Sequence, residues 1–148
     1  MRLKVPEVAS RLQVVPDGRT RPWGTTGAVA LVAPEVDGAF AVANADDLDG
    51  VEAFRSVAAH LRSGSGRGAV VGYPTSGTPV RGDDLVSMNC WGFPAGVMPV
   101  LRDRVAAFVA RAPGGGDAER VFPDVVADLL EDGSLDVDVL PTSAAGST

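Results

Sequence analysis

Lysine is almost missing from this chain: Lys4 stands alone beside twelve Arg among 148 residues. Those Arg are scattered, and the formal net charge is −6. An acidic chain with no basic stripe repels phosphate backbones, which argues against nucleic-acid partners. Cysteine is equally scarce. Cys90 alone excludes an intrachain disulfide and any cysteine-rich zinc site. Aromatic residues make up only 5% of the chain, so Val, Ala and Leu must carry the packing. Long apolar runs are also lacking. The longest, residues 27–33, is too short to span a bilayer. Residues 1–7 have no apolar signal-peptide core, so a soluble, cytoplasmic protein without a membrane partner is expected. No G-x-S-x-G, H-E-x-x-H or G-x-x-x-x-G-K-[ST] pattern occurs. The single histidine, His60, reads as a surface residue rather than a catalyst.

Apolar residues nonetheless reach 45%, enough for a packed core rather than general disorder. The length suits one domain over residues 1–148, with 143–148 fraying as a small polar tail. Eighteen Gly and eleven Pro call for many turns. The hydrophobic pattern predicts strands at 12–15, 39–43, 69–73, 85–93 and 135–139. It predicts helices at 27–33, after a Thr cap, and at 51–62, 97–109 and 122–131. In the last strand Leu135, Val137 and Val139 alternate with Asp136 and Asp138, which implies one wet face. Residues 74–84 read as a loop. Strands alternating with helices predict an α/β fold with a mostly parallel sheet.

Three segments could carry chemistry. The apolar strand at 39–43 ends in Asn44, Ala45, Asp46 and Asp47. Ligands of open α/β sheets bind beyond the carboxyl ends of strands, and carboxylates there can ligate Mg²⁺ together with substrate phosphates. The residues alone leave a second reading open, a polar turn capping the next helix. The segment from Arg19 to Thr26 places Trp23, Gly24 and Thr25 before a helix. Glycine admits close backbone approach, and free helix N–H groups could hold a base or phosphate; an ordinary loop-to-helix start fits equally. On the strand at 85–93, alternation sets Asn89 and Trp91 on one face, an amide beside an aromatic ring that suits a sugar. A core strand with one hydrogen-bonded Asn is the alternative.

As an ordered set these segments are more specific. Arg-Thr-Arg-Pro-Trp-Gly-Thr (19–25), Phe-Ala-Val-Ala-Asn-Ala-Asp-Asp (40–47), Val-Val-Gly-Tyr-Pro (70–74) and Val-Ser-Met-Asn-Cys-Trp-Gly-Phe (86–93) follow one another. Phe-Pro-Asp-Val-Val (122–126) and Val-Leu-Pro-Thr (139–142) come next. The series resembles the bacterial sugar-phosphate nucleotidyltransferases of the glucose-1-phosphate thymidylyltransferase type. The resemblance implies a Rossmann-like nucleotidyltransferase fold. It also implies attack of a sugar-phosphate oxygen on the α-phosphorus of a nucleoside triphosphate, with release of pyrophosphate. By motif position Gly24 and Thr25 would lie near the base, Asp46 would be the catalytic Mg²⁺ ligand with Asp47 beside it, and Asn89 and Trp91 would line the sugar side.

The chain departs from that pattern in several places. The opening strand with a Gly-rich, Arg-bearing loop is absent, residues 75–84 form a short loop without the family's Glu and Lys, and a second metal-binding Asp does not follow Thr142. The expected fold is therefore incomplete. Two further readings stand beside the enzyme: a degenerate module that binds a nucleotide or sugar nucleotide without turnover, and an interaction protein whose sheet is completed by a partner chain or oligomer.

Overall fold

A computed structural model describes residues 15, 17–44, 50–74, 85–111 and 118–142. The strand expected at 12–15, apart from Val15, and the tail at 143–148 lie outside the described residues. The contacts divide the chain into two compact units. One comprises Met1–Asp37 with Met98–Asp128, and the other Gly38–Val97 with Leu129–Thr148.

The first unit holds only helices among its described residues. Helix α1 spans Thr25–Leu31 and a 3-10 turn follows at Ala33–Glu35, where Pro34 prevents continuation. Helix α1 starts earlier than the threonine-cap pattern predicts. Its N-cap is Gly24, and Thr25 is helical because its hydroxyl serves elsewhere, as described below. Helix α3 is Val97–Arg111, with Met98 and Leu101 buried. Helix α4 is Phe122–Glu131, and Phe122, Val125, Val126 and Leu129 are all at most 4% exposed. That i, i+3, i+4, i+7 spacing is one helical stripe, so burial follows directly from the sequence period.

The second unit is the α/β part. Strands β1 (Phe40–Val42), β2 (Gly68–Pro74), β3 (Leu85–Phe93) and β4 (Val137–Pro141) form one sheet in the order β1-β3-β2-β4. Helix α2, Gly50–Arg62, packs on β2 and β3. Ala53 and Val57 of α2 join Val71, Tyr73 and Cys90 in a core bordered by Leu61, Met88 and Leu140. Gly92 lets the helix come this close, since a Cβ there would lie 2.6 Å from Val57 Cγ1.

The sheet is mixed, not mostly parallel as the alternating pattern suggests. β3 runs antiparallel to both β1 and β2, and only β2 and β4 are parallel. The reason lies in residues 75–84. A parallel neighbour needs a crossover of a dozen residues or more, and the number of residues between Pro74 and Leu85 is too small for one. The expected faces of β4 also change. Leu140 packs on the core, Asp138 is half-buried, and Val139 is 55% exposed. Asp138 is drawn in by Arg67 and His60, and this parity turns Val139 to solvent.

Candidate functional site

β1 pairs with β3 only through Phe40, Ala41 and Val42, the last opposite Trp91. The chain thus leaves the sheet alongside the middle of β3, on the side toward Asn89. Asp46 and Asp47, which follow this exit, lie outside the described residues. Among the described residues no group of three or more His, Cys, Asp or Glu side chains is placed to hold a metal ion.

The middle of β3 is irregular. Val70 pairs with Trp91 and Gly72 with Ser87, so Val71 of β2 faces three residues of β3, namely Met88, Asn89 and Cys90. Such bulges bend a strand and re-aim side chains, and they concentrate near active sites. Asn89 sits in the bulge with φ 62°, the only described non-glycine residue in the left-handed region. Asn tolerates that conformation better than most residues. Its N–H donates to Ser87 Oγ at 3.0 Å, which holds the distorted backbone. Regular alternation does not carry through a bulge, so the shared face of Asn89 and Trp91 does not follow from spacing alone. Cys90 and Gly92 face α2, which leaves Trp91 on the opposite side with Phe93 and Phe40.

There the aromatic residues form a row. Trp91 stacks on Phe93 at 6.3 Å and 15°, and Phe93 meets Phe40 at 5.3 Å. The Trp91 indole Nε1 is sealed from solvent and has no acceptor among the described residues. A buried donor without a partner costs about 1–3 kcal/mol. A ligand oxygen would remove that cost.

Gly24 and Thr25 belong to the first unit. Gly24 has φ 90°, and a Cβ on it would stand 2.5 Å from the Arg120 carbonyl oxygen. Arg120 N–H donates to Trp23 O at 3.0 Å, and Thr26 N–H donates to Arg120 O at 3.2 Å. Thr25 Oγ1 accepts from Phe122 N–H at 2.8 Å. The close approach that Gly24 permits is therefore filled by the chain's own backbone, and one N–H of the α1 N-terminus is already engaged. Beside them Arg19 is 9% exposed, its guanidinium 3.8 Å above the Trp23 ring. It donates to Arg21 O and Ala118 O, while its Nη1 has no acceptor among the described residues.

Two clusters were not legible in the sequence. His60 is largely buried rather than a surface residue, with its side chain 12% exposed. Its Nε2 lies 3.1 Å from Arg67 O, and because a carbonyl only accepts, Nε2 carries the proton. Ser65 Oγ and Asp138 Oδ2 approach the same nitrogen at 3.5 and 3.9 Å. Both approach Nε2, so the three do not form a nucleophile–base–acid relay, which needs the carboxylate on the other ring nitrogen. Arg67 bridges Asp138 at 2.8 Å and Asp136 at 3.1 Å. The hydrogen bond to Asp138, with the charges of both carboxylates, holds its guanidinium above its already high ordinary value. Ser65, Arg67, Gly133 and Asp136 line an open cavity of about 550 Å³ at the start of β2 and β4. That is the amino end of the parallel pair, and its one arginine is already neutralised.

The second cluster lies in the first unit. Arg104, Phe108 and Arg111 of α3 surround a cavity of about 400 Å³ with Arg120 and Asp128. The i, i+4, i+7 spacing of the three α3 residues is visible in the sequence, but the cavity they share with Arg120 and Asp128 is not. Compared with known proteins, the chain matches no protein-family model and no curated protein.

Proposed function

We propose that the chain is a nucleotidyltransferase-type domain with a Rossmann-like fold. In this reading it binds a nucleoside triphosphate and a sugar phosphate, and it transfers the nucleotidyl group with release of pyrophosphate. The reading rests on the ordered motifs and on one structural observation. β1 leaves the sheet toward the bulged, left-handed Asn89, with Trp91 bearing a sealed donor that lacks an acceptor among the described residues. Strained backbone and unsatisfied buried donors together are common at ligand sites. Asp46, with Asp47 beside it, would hold Mg²⁺, which supplies charge neutralisation on the substrate phosphates. Trp91 would donate to a sugar or phosphate oxygen and offer its ring as a platform, and Asn89 would orient the sugar. Gly24 and Thr25 act in this reading by fixing the loop before α1, since their own groups contact Arg120 and Phe122. The cytoplasm suits these substrates.

The test is pyrophosphate release from a panel of nucleoside triphosphates and sugar 1-phosphates with Mg²⁺. Release that is lost in Asp46→Asn supports transfer. Binding of the substrates without release would instead favour the non-catalytic binding module.

A further inference from the structure

The open cavity at the amino end of β2 and β4 lies wholly within the second unit. None of the residues assigned to nucleotidyl transfer lines it. β1 starts at this end of the sheet, where Phe40 pairs with Phe93, and runs toward the other. The volume, about 550 Å³, lies within the range of about 300–1,000 Å³ of small-molecule sites. The two turns that carry its polar side chains are fixed by hydrogen bonds. Arg67 N–H donates to Ser65 Oγ at 3.2 Å, and Gly68 N–H donates to Asp136 O at 2.8 Å. Ser134 N–H donates to Asp132 Oδ1 at 2.9 Å, and Leu135 N–H donates to Leu129 O at 3.0 Å. Groups held in this way lose little freedom when a ligand arrives.

The charged lining consists of one arginine and one aspartate, Arg67 and Asp136, paired at 3.1 Å. Asp138 anchors the same guanidinium through its Nε at 2.8 Å. A net anion or cation gains little from such a lining, because it would have to part the pair to be held by one half of it. A hydroxyl group is both donor and acceptor. It takes a hydrogen bond from the guanidinium and gives one to the carboxylate while the pair stays closed. Both bonds are charge-assisted, hence stronger than neutral ones. Ser65 and Ser134 add hydroxyls of their own to the lining. Ser65 Oγ already accepts from Arg67 N–H, which leaves its proton to give to a ligand. The remaining wall is apolar: Leu135 and Val97 are 4% and 6% exposed, with Pro94 half-buried beside them.

We propose that this cavity binds a neutral sugar, with neighbouring ring hydroxyls bridging Arg67 and Asp136 and the C–H face of the ring against Leu135, Val97 and Pro94. A sugar ring carries the two surfaces that the lining offers, an edge of hydroxyls and a face of carbon. Binding here requires neither Mg²⁺ nor a nucleotide.

The experiment titrates glucose, galactose, mannose and myo-inositol into the ¹⁵N-labelled full chain, without Mg²⁺, and follows the amide shifts by NMR. At least one should bind at about 10 mM or tighter, a weak affinity by ordinary standards. The shifts should concentrate at residues 64–68 and 133–137. Asp136→Asn should weaken binding about tenfold or more, the share of one charge-assisted hydrogen bond. The Asp136 side chain is 75% exposed, so the variant should fold; circular dichroism checks this. Ser134→Ala should weaken binding about threefold, the share of one neutral hydrogen bond. Glu52→Gln, remote from the lining, should bind like the parent. Asp46→Asn should also bind the sugar like the parent, so failure here is distinguishable from failure of the nucleotide reading. Glucuronate and glucosamine, which add a negative and a positive charge, should bind no more tightly than the neutral sugar. The proposal is overturned if no sugar of the panel binds at about 10 mM. Unchanged affinity in Asp136→Asn, shifts centred on Asn89 and Trp91 instead, or tighter binding of either charged sugar also overturns it.

Discussion

Replacing Gly24 with Ala tests whether this glycine serves packing. The residue has φ 90° and ψ −177°, a region that is essentially closed to side chains and costs about 1–3 kcal/mol. The added Cβ would also stand 2.5 Å from Arg120 O and 2.8 Å from Arg120 N. These are backbone atoms tied to Trp23 and Thr26, so they cannot swing aside as a flexible side chain would. Overpacking of this kind costs a further 1–3 kcal/mol or so. The combined loss of about 2–6 kcal/mol is a large part of the total of about 5–15 kcal/mol for a folded protein. Near this chain length each kcal/mol shifts the melting temperature by about 2–4 °C, so a drop of roughly 5–20 °C is expected. Thermal melts followed by circular dichroism read it directly. Gly96→Ala is the control: no atom lies within 4 Å of its Cβ, and a change within about 0.5 kcal/mol is expected. A Gly24→Ala protein as stable as the Gly96→Ala control would refute the packing argument.

Leu101 is fully buried, and Leu101→Ala should cost about 2–5 kcal/mol in urea denaturation; a loss below about 1 kcal/mol would contradict that burial. Asn89→Gly should be neutral or stabilising by up to about 1 kcal/mol, because glycine adopts φ 62° without strain, while sugar-phosphate binding declines. A destabilised Asn89→Gly would show that the side chain serves the fold instead. Arg67→Gln should lower the melting temperature slightly, and added salt should shrink the difference, since the side chains of this ion pair are about 40% exposed. The folded-state value of Arg67 is raised, so its contribution is present below the unfolded value and is lost only as pH climbs through the folded one. The gap between parent and variant should therefore hold steady from pH 7 to about pH 10. A gap that closes within that window would exclude the ion pair as its source.

The elements were largely legible because their periods are clean. Residues 51–62 and 122–131 repeat apolar positions at helical spacing, and both are helices. The apolar run at 69–73 is a strand buried along most of its length. Strand direction was not legible from alternation of element types. The information lay instead in residues 75–84, too short for a crossover. The faces of β4 were misread because hydrophobic alternation was weighed without the partners of Asp138, which come from α2 and the following loop. The bulge at Asn89 leaves no mark in composition, since its residues are ordinary strand residues apart from Asn itself. The role of Gly24 was half legible: close backbone approach is correct, and the partner, Arg120, lies 96 positions along the chain. That Arg120 and Asp128 close a cavity with the arginines of α3 is a property of the fold.

The central claim, that this is a nucleotidyltransferase-type domain using Mg²⁺ at Asp46, is tested most directly by calorimetry. Nucleoside triphosphates are titrated into the full chain with and without Mg²⁺, and then into Asp46→Asn and Asp47→Asn. The account predicts Mg²⁺-dependent binding in the parent, a large loss in Asp46→Asn and a smaller loss in Asp47→Asn. Binding that is independent of Mg²⁺, or equally strong in Asp46→Asn, would contradict it.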